Sequence, residues 1–158
     1  MKYFQVKDFT CDMLPDNHFD YMFSYGCPCH VSFAGISEYA KNLHAKLKKN
    51  SNCFWMVADY DQYNRAISNL NDVNIYRALI PTSRRSRPLK WFFVYLMKRS
   101  NARMRPIPAD ENDEPKPGRW YHSGTQRTCA MLEEAGYRIA DPDVGTCLRD
   151  PVIHFIKT

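Results

Sequence analysis

The sequence predicts a single α/β domain, because two short apolar segments flank a segment with helical periodicity. Residues 19–24 and 53–58 are rich in aromatic and β-branched side chains, which is typical of buried strands. Between them, apolar residues recur on one face of a helix: Ile36, Tyr39, Ala40, Leu43 and Leu47. A connection through a helix of this length joins two parallel strands in the right-handed sense.

Local signals mark the ends of two helices. Ser32 can cap the start of the first helix, and Asn50, which tolerates a positive φ, is placed to end it. A final helix is predicted over residues 125–135. Ser123 and Gln126 fit a capping box at its start, and Gly136 closes it.

The remaining strands are predicted at residues 3–6, 137–140 and 152–157, and the last two are joined by a turn rich in Asp, Pro and Gly. Residues 62–118 form a basic, helical insertion in this one domain of 158 residues. Within it, residues 84–105 carry eight basic and no acidic side chains, so the formal charge of +5 comes from this segment.

Several classes of protein do not fit the sequence. The longest strongly apolar run, residues 91–97, is too short to span a bilayer, and the charged N-terminus lacks the apolar centre of a signal peptide, so we expect a cytoplasmic protein. The six cysteines form no regular framework and are interpreted as free thiols. Cys27, Cys29 and His30 have no second ligand pair at zinc-like spacing, so no metal site is predicted.

Ligands of open parallel sheets collect at the carboxyl ends of the strands. In this sequence those positions are Asp8 and Phe9, residues 25–30, and residues 59–61. The order of these motifs, from Asp8 through FDYMFS, FSYGCPCHVSFAGISEYAKNL and FWMVADYD to LEEAGY near the end, resembles a class I S-adenosylmethionine-dependent methyltransferase, and more narrowly bacterial sugar and polysaccharide O-methyltransferases.

The resemblance implies a partial Rossmann-like fold, with a mainly parallel sheet, helices packed on it and a C-terminal antiparallel strand. In the complete fold the implied strand order is 3-2-1-4-5-7-6, and the chain begins at the third strand. The family's glycine-rich cofactor loop is missing, since the six glycines never occur in a G-x-G spacing. The chain therefore resembles a truncated or split enzyme.

The resemblance also implies roles for individual residues. His30 is the preferred base that takes a proton from a sugar hydroxyl, and His122 is the second choice. S-adenosylmethionine is the implied cofactor. Asp8 and Phe9 would hold its adenine, and Ser24, Tyr25 and Gly26 would contact it at the end of the strand predicted over residues 19–24. Residues 120–122 resemble a substrate-side loop. The residues expected to face the sugar are Asp59, Tyr60, Asp61, His122, Arg149 and Asp150.

An alternative interpretation is a catalytically inactive remnant that binds a partner chain or an anionic polymer through residues 84–105. Nucleic acid is the less favoured polymer, because most aromatic residues of that segment share the predicted helix's apolar face. With two strands of the complete fold missing, the strand around Tyr21 is expected to pair with residues 3–6 or to remain a bare sheet edge. A bare edge favours self-association or docking of an N-terminal half.

Overall fold

The computed structural model describes residues 3–5, 8–62, 65, 92, 95, 120–145 and 150–158. The chain divides into two compact units, one formed by Met1–Asp59 with Ile107–Thr158 and the other by Tyr60–Pro106. In the second unit, the described residues 60–62, 65, 92 and 95 are helical. Most of the predicted insertion, including the basic segment 84–105, lies outside the described residues.

The first unit contains four strands and two α-helices. In chain order they are β1 (Phe19–Ser24), a 3-10 helix (Pro28–His30), α1 (Phe33–Lys46), β2 (Leu47–Met56), α2 (Thr125–Glu134), β3 (Tyr137–Asp141) and β4 (Val152–Lys157). The predicted bounds of β1 and β4 are confirmed, and β3 is one residue longer than predicted. The strand predicted at residues 53–58 begins six residues earlier and ends two residues earlier, as β2 (Leu47–Met56). The strand predicted at residues 3–6 is wrong for residues 3–5, which have no regular structure, and Val6 lies outside the described residues.

Helix α1 begins as predicted and ends earlier than predicted. Ser32 is its N-cap, and the Ser32 hydroxyl accepts a hydrogen bond from the Gly35 backbone N–H. The chain leaves the helix at Leu47, which is 2% exposed and pairs with Phe19 at the start of β2. Asn50 has the expected positive φ of 64°, but it lies within β2, where the register against β1 shifts.

The four strands form one sheet in the order β1-β2-β4-β3. β1 and β2 are parallel, whereas β4 is antiparallel to both β2 and β3. The pairing is therefore mostly antiparallel, which corrects the prediction of a mainly parallel sheet. The physical reason is the position of β4, because it lies between two strands that run in the opposite direction.

The hydrophobic core lies between one face of this sheet and the two helices. Cys53 and Trp55 on β2 and Phe155 on β4 are at most 3% exposed and belong to the same cluster as Ile36 and Leu132 of the helices. The other residues of the cluster include Ala40, Leu47, Val57, Met131, Tyr137 and Ile153. The Tyr137 hydroxyl donates a 2.8 Å hydrogen bond to the Ala40 carbonyl, so the polar end of this buried ring is satisfied.

The opposite face of the sheet is different. Phe54 and His154 stack at 4.3 Å between ring centroids, and Tyr21 lies 5.5 Å from Phe54. Tyr21 and Phe23 are 56% and 59% exposed. Among the described residues β1 pairs with β2 alone, and Phe4 lines the groove that runs past Tyr21. Val6 lies outside the described residues, so the bare edge beside Tyr21 stays a prediction.

None of the helices in the described ranges is both long and apolar enough to cross a membrane. Five cysteines fall in these ranges and all carry free thiols, whereas Cys147 lies outside them. No group of three or more Cys, His, Asp or Glu side chains in the same ranges could hold a metal ion.

We expect the protein to lose stability at alkaline pH through two buried groups of β2 and β3. Burial raises the pKa of the Cys53 thiol to about 12 and raises the pKa of Tyr137 above its ordinary value. Because the folded protein keeps both protons longer than the unfolded chain, this stability is present below about pH 9 and is lost as the pH rises toward about 12.

The Cys53→Ala variant should reduce the slope of unfolding free energy against pH by up to about 1.4 kcal/mol per pH unit above about pH 9. Urea unfolding at several alkaline pH values measures the slope. Cys27→Ala, which removes an exposed thiol, is the matched control and should leave the slope unchanged. Equal slopes in the two variants would contradict the assignment to Cys53.

Candidate functional site

The candidate site lies at the edge of the sheet where β1 and β2 end and β4 begins. The last pair of the β2–β4 ladder is Met56 with Val152, and just beyond it the Val57 N–H donates a 3.0 Å hydrogen bond to the Pro151 carbonyl. Asp150, which is 8% exposed, therefore lies at the edge where β2 ends. The antiparallel direction of β4 is what brings it there, as predicted from topology.

A separate segment, residues 120–124, is bound to this edge through its backbone. The Tyr121 N–H donates to the Cys29 carbonyl at 2.8 Å, and the N–H groups of Ser123 and Gly124 donate to the Ala58 carbonyl at 3.1 and 3.2 Å. Ala58 and His122 also form an isolated parallel bridge. The structure thus joins the loop after β1, the end of β2 and the segment before α2.

Both predicted histidines lie on these joined segments. His30 ends the 3-10 helix, is half-buried, and has its ring packed edge-on to Trp120 with centroids 4.8 Å apart. His122 is also half-buried, and its ring lies beside Gly124, with Cε1 and Nε2 each 3.7 Å from the position of an added Cβ. A neutral imidazole at either position can accept a proton.

Asp59 lies at the same edge and is only 4% exposed. Its Oδ2 atom accepts hydrogen bonds from the Thr125 backbone N–H at 2.8 Å and from the Thr125 hydroxyl at 2.7 Å. The carboxylate therefore serves the N-terminus of α2, where a negative charge is favourable. The predicted capping box is wrong, because Gly124 is the N-cap and no side chain of the helix start makes the capping bond.

Ser123, the residue predicted to cap α2, is 1% exposed. Its hydroxyl has no hydrogen-bond partner within the described part of the chain. The Asp59 carboxylate takes the place that the Ser123 hydroxyl was predicted to fill. This substitution ties α2 directly to the end of β2.

Three other residues were predicted to face a sugar. Tyr60 and Asp61 belong to the second compact unit, where Tyr60 is half-buried and Asp61 is exposed. Arg149 lies outside the described residues. Their predicted roles stay predictions.

Asp8 forms a local turn at the surface. Its Oδ1 atom accepts from the Thr10 hydroxyl at 2.7 Å and from the Thr10 N–H at 3.0 Å. These two bonds hold the pKa of the Asp8 carboxyl below its usual range, and the bond from the Thr10 hydroxyl has the larger effect. Asp8 is therefore ionised at neutral pH, and its side chain is exposed.

Phe9 connects this turn to α1. Its ring lies edge-on to Tyr39 at 4.7 Å, and its carbonyl accepts a 2.9 Å hydrogen bond from the Asn42 amide. Burial raises the pKa of Tyr39, and nearby Cys11, Cys27 and Asp8 raise it further. The ring contact and the Asn42 bond thus join the turn to α1.

The three residues predicted beside the cofactor at the end of β1 have different environments. Ser24 is half-buried and pairs with Trp55. Tyr25 is 60% exposed, with its ring parallel to Phe23 at 6.3 Å. Gly26 has a φ of 75°, and no atom lies close to the position of an added Cβ. Glycine is therefore explained by the backbone conformation of the turn and not by lack of space.

The two residues that the resemblance implies for the adenine of S-adenosylmethionine lie on the turn before α1, where Oδ1 of Asp8 accepts two bonds from Thr10 and the Phe9 ring packs on Tyr39. An exposed, ionised Asp8 can accept from an exocyclic amino group, and the aromatic ring of Phe9 lies next to it in the chain. No glycine-rich backbone cradle for the methionine end occurs in the sequence.

Comparison with known proteins gives a weak structural likeness. No family model and no curated protein matches the chain. Among solved structures, a possible exported protein from Bordetella parapertussis is 18% identical, with a TM-score of 0.42, covering 91% of this chain and 40% of its own. A structure concerned with conversion of a disulfide bond into a thioacetal group during echinomycin biosynthesis is 14% identical, with a TM-score of 0.41, covering 90% of this chain and 50% of its own.

This chain therefore spans half or less of the length of those two structures. Likenesses at this level carry no argument about function. The candidate site is defined by the geometry of this chain alone.

We expect Asp59→Ala to lower the free energy of unfolding by about 1–2 kcal/mol, because it removes both acceptor bonds and the favourable charge at the start of α2. Thr125→Ala should cost less, since the backbone N–H still reaches the carboxylate. Urea unfolding and amide exchange over residues 125–128 measure both effects. Asp12→Ala removes an exposed carboxylate and serves as the control; an equal loss in that variant would argue against capping by Asp59.

Proposed function

We propose that this chain is part of an S-adenosylmethionine-dependent methyltransferase that methylates a hydroxyl group of a sugar or polysaccharide. The proposal extends the resemblance of its motifs to that family. It concerns the edge of the sheet that carries His30, His122 and Asp150, together with the turn at Asp8.

The observation that carries the proposal is the strand order. The order β1-β2-β4-β3, with β4 antiparallel to its neighbours, agrees with strands 4-5-7-6 of the order that the resemblance implies. In such a sheet the carboxyl ends of β1 and β2 are where a ligand would bind. The gathering of residues 25–30, 58–59, 120–124 and 150 at that edge supports the same conclusion.

The residues then have distinct tasks. Asp8 and Phe9 hold the adenine, with Ser24, Tyr25 and Gly26 along the end of β1. The bound cofactor supplies a methyl group on a positively charged sulfur. His30 accepts the proton of the sugar hydroxyl, and its packing against Trp120 fixes the plane of the imidazole. Asp150 and Arg149 are assigned to the sugar side, whereas Asp59 supports the start of α2.

The first test is cofactor binding by the whole chain. Calorimetry should detect S-adenosylmethionine, and Asp8→Asn should weaken binding by about tenfold, because the amide loses the charge that strengthens a hydrogen bond to the amino group. Asp12→Asn, an exposed carboxylate of the same loop, should bind as the parent does. Absence of measurable binding would remove the cofactor assignment.

The second test is methyl transfer from labelled cofactor to a panel of polysaccharides. His30→Ala should lower kcat by about 100-fold or more, since it removes the general base. His122→Ala should have a smaller effect. The control is His18→Ala, because His18 is an exposed histidine packed on Phe19, away from residues 120–124. Full activity of His30→Ala would exclude His30 as the base.

A second candidate is a protein without turnover that binds an anionic polymer. The missing G-x-G motif and the eight basic residues of segment 84–105 favour it. The calorimetric test separates the two, since clear cofactor binding argues against an inactive remnant. Binding to a polyanion that does not weaken with added salt would argue against contacts to its charged groups.

A further inference from the structure

Gly35 is a poor helix former placed inside a helix. It is the third residue of α1 and is buried. It does not belong to the glycines with a positive φ, so no left-handed backbone conformation calls for glycine there. Alanine at this position would favour the helix more strongly than glycine does. The reason for glycine therefore lies in what packs against it.

A side chain at Gly35 would collide with two other segments. An added Cβ would lie 2.7 Å from Cγ1 of Val31, and 2.9 and 3.2 Å from Cζ and Cε2 of Phe9. Carbon atoms in ordinary contact are about 3.5–4.0 Å apart, so each of these distances is an overlap. Gly35 is thus the place where the turn at residues 8–10 and the loop after β1 both touch α1.

The same face of α1 holds Phe9 at two further points. Its ring lies edge-on to Tyr39, with centroids 4.7 Å apart, and its carbonyl accepts the 2.9 Å hydrogen bond from the Asn42 amide. Gly35, Tyr39 and Asn42 are four and three residues apart, which places them on one side of the helix. Because Gly35 is nearest the start of α1, it sets how closely Phe9 approaches the loop after β1.

The two segments that meet at Gly35 carry residues of the proposed site. The turn on one side carries Asp8, whose exposed carboxylate accepts the two bonds from Thr10 that hold the turn together. On the other side, Val31 directly follows the 3-10 helix that ends at His30. A methyl group added at Gly35 would therefore move the turn or the loop away from the helix and change the spacing between them.

We propose that Gly35 is a positioning residue for the cofactor, because it fixes the turn of Asp8 against the loop that carries His30. This role rests on the proposed function, in which Asp8 binds the adenine and His30 is the base. Gly35 has no side chain to offer a ligand and acts through the two side chains packed against it. Shortening those side chains should therefore abolish the effect of a change at Gly35.

The test is Gly35→Ala, compared in two backgrounds. In the parent chain, calorimetry should show S-adenosylmethionine binding weakened by about tenfold or more, because the turn is displaced. In a background with Phe9→Leu and Val31→Ala, the atoms that the methyl group would overlap are absent. There the same change should alter the affinity by less than about twofold.

Urea unfolding tests the packing without the cofactor. In the parent chain, Gly35→Ala should lower the urea concentration at the midpoint of unfolding, since the added methyl group overlaps its neighbours. In the background with Phe9→Leu and Val31→Ala it should raise the midpoint, since alanine is the better helix former. The opposite signs separate a packing effect from helix propensity.

Two further variants complete the experiment. Ala34→Gly changes an exposed neighbour in α1; it should lower the midpoint through helix propensity alone and leave the cofactor affinity as in the parent. Asn42→Leu removes the donor to the Phe9 carbonyl without adding bulk at Gly35, and it should weaken cofactor binding by about threefold or more. This second variant keeps the test decisive if circular dichroism shows that Gly35→Ala does not fold in the parent.

The outcomes separate the role of Gly35 from the proposed function. Parent affinity in Gly35→Ala or in Asn42→Leu would overturn the positioning role and leave the proposed function standing. A parent chain that binds no cofactor would remove the proposed function and the positioning role together. A midpoint that shifts in the same direction in both backgrounds would overturn the packing at Gly35.

Discussion

The position of β4 between β2 and β3 is the constraint on which the rest of the first unit depends. Because β4 runs opposite to β2, it begins where β2 ends, and the Val57–Pro151 hydrogen bond continues the pairing past the last ladder residues. The end of β2 also fixes α2, through the bonds from Thr125 to Asp59. Since α2 leads into β3 and β3 pairs with β4, the chain after residue 120 is joined to β2 twice, once at the start of α2 and once along β4.

These two connections to β2 explain why the candidate site is assembled from distant parts of the chain. The segment at residues 120–124 is bound by backbone hydrogen bonds to Cys29 and Ala58, and these bonds bring His30 and His122 to the same edge of the sheet. Asp59 differs from the two histidines, because its carboxylate accepts the hydrogen bonds that hold the start of α2. A residue chosen for chemistry from the sequence can thus have a structural task in the same site.

The two sides of the sheet have unequal roles. One face is buried against α1 and α2, and its large side chains are almost completely shielded from solvent. The other face carries Phe54 and His154 in contact with each other, and its exposed rings lie on β1 at the edge. The carboxyl edge of the sheet gathers polar groups, whereas the side edge at β1 carries exposed aromatic rings.

The sequence by itself determined the features that depend on neighbouring residues. Hydrophobic runs located β1 and β4, Ser32 located the start of α1, and Asn50 was correctly expected to have a positive φ, because side-chain chemistry and backbone sterics act over a few residues. Only the tertiary structure decided where α1 ends, since the burial of Leu47 against the sheet outweighs its helical spacing. It also decided that Asp59 and not Ser123 caps α2, because this contact joins residues far apart in the chain.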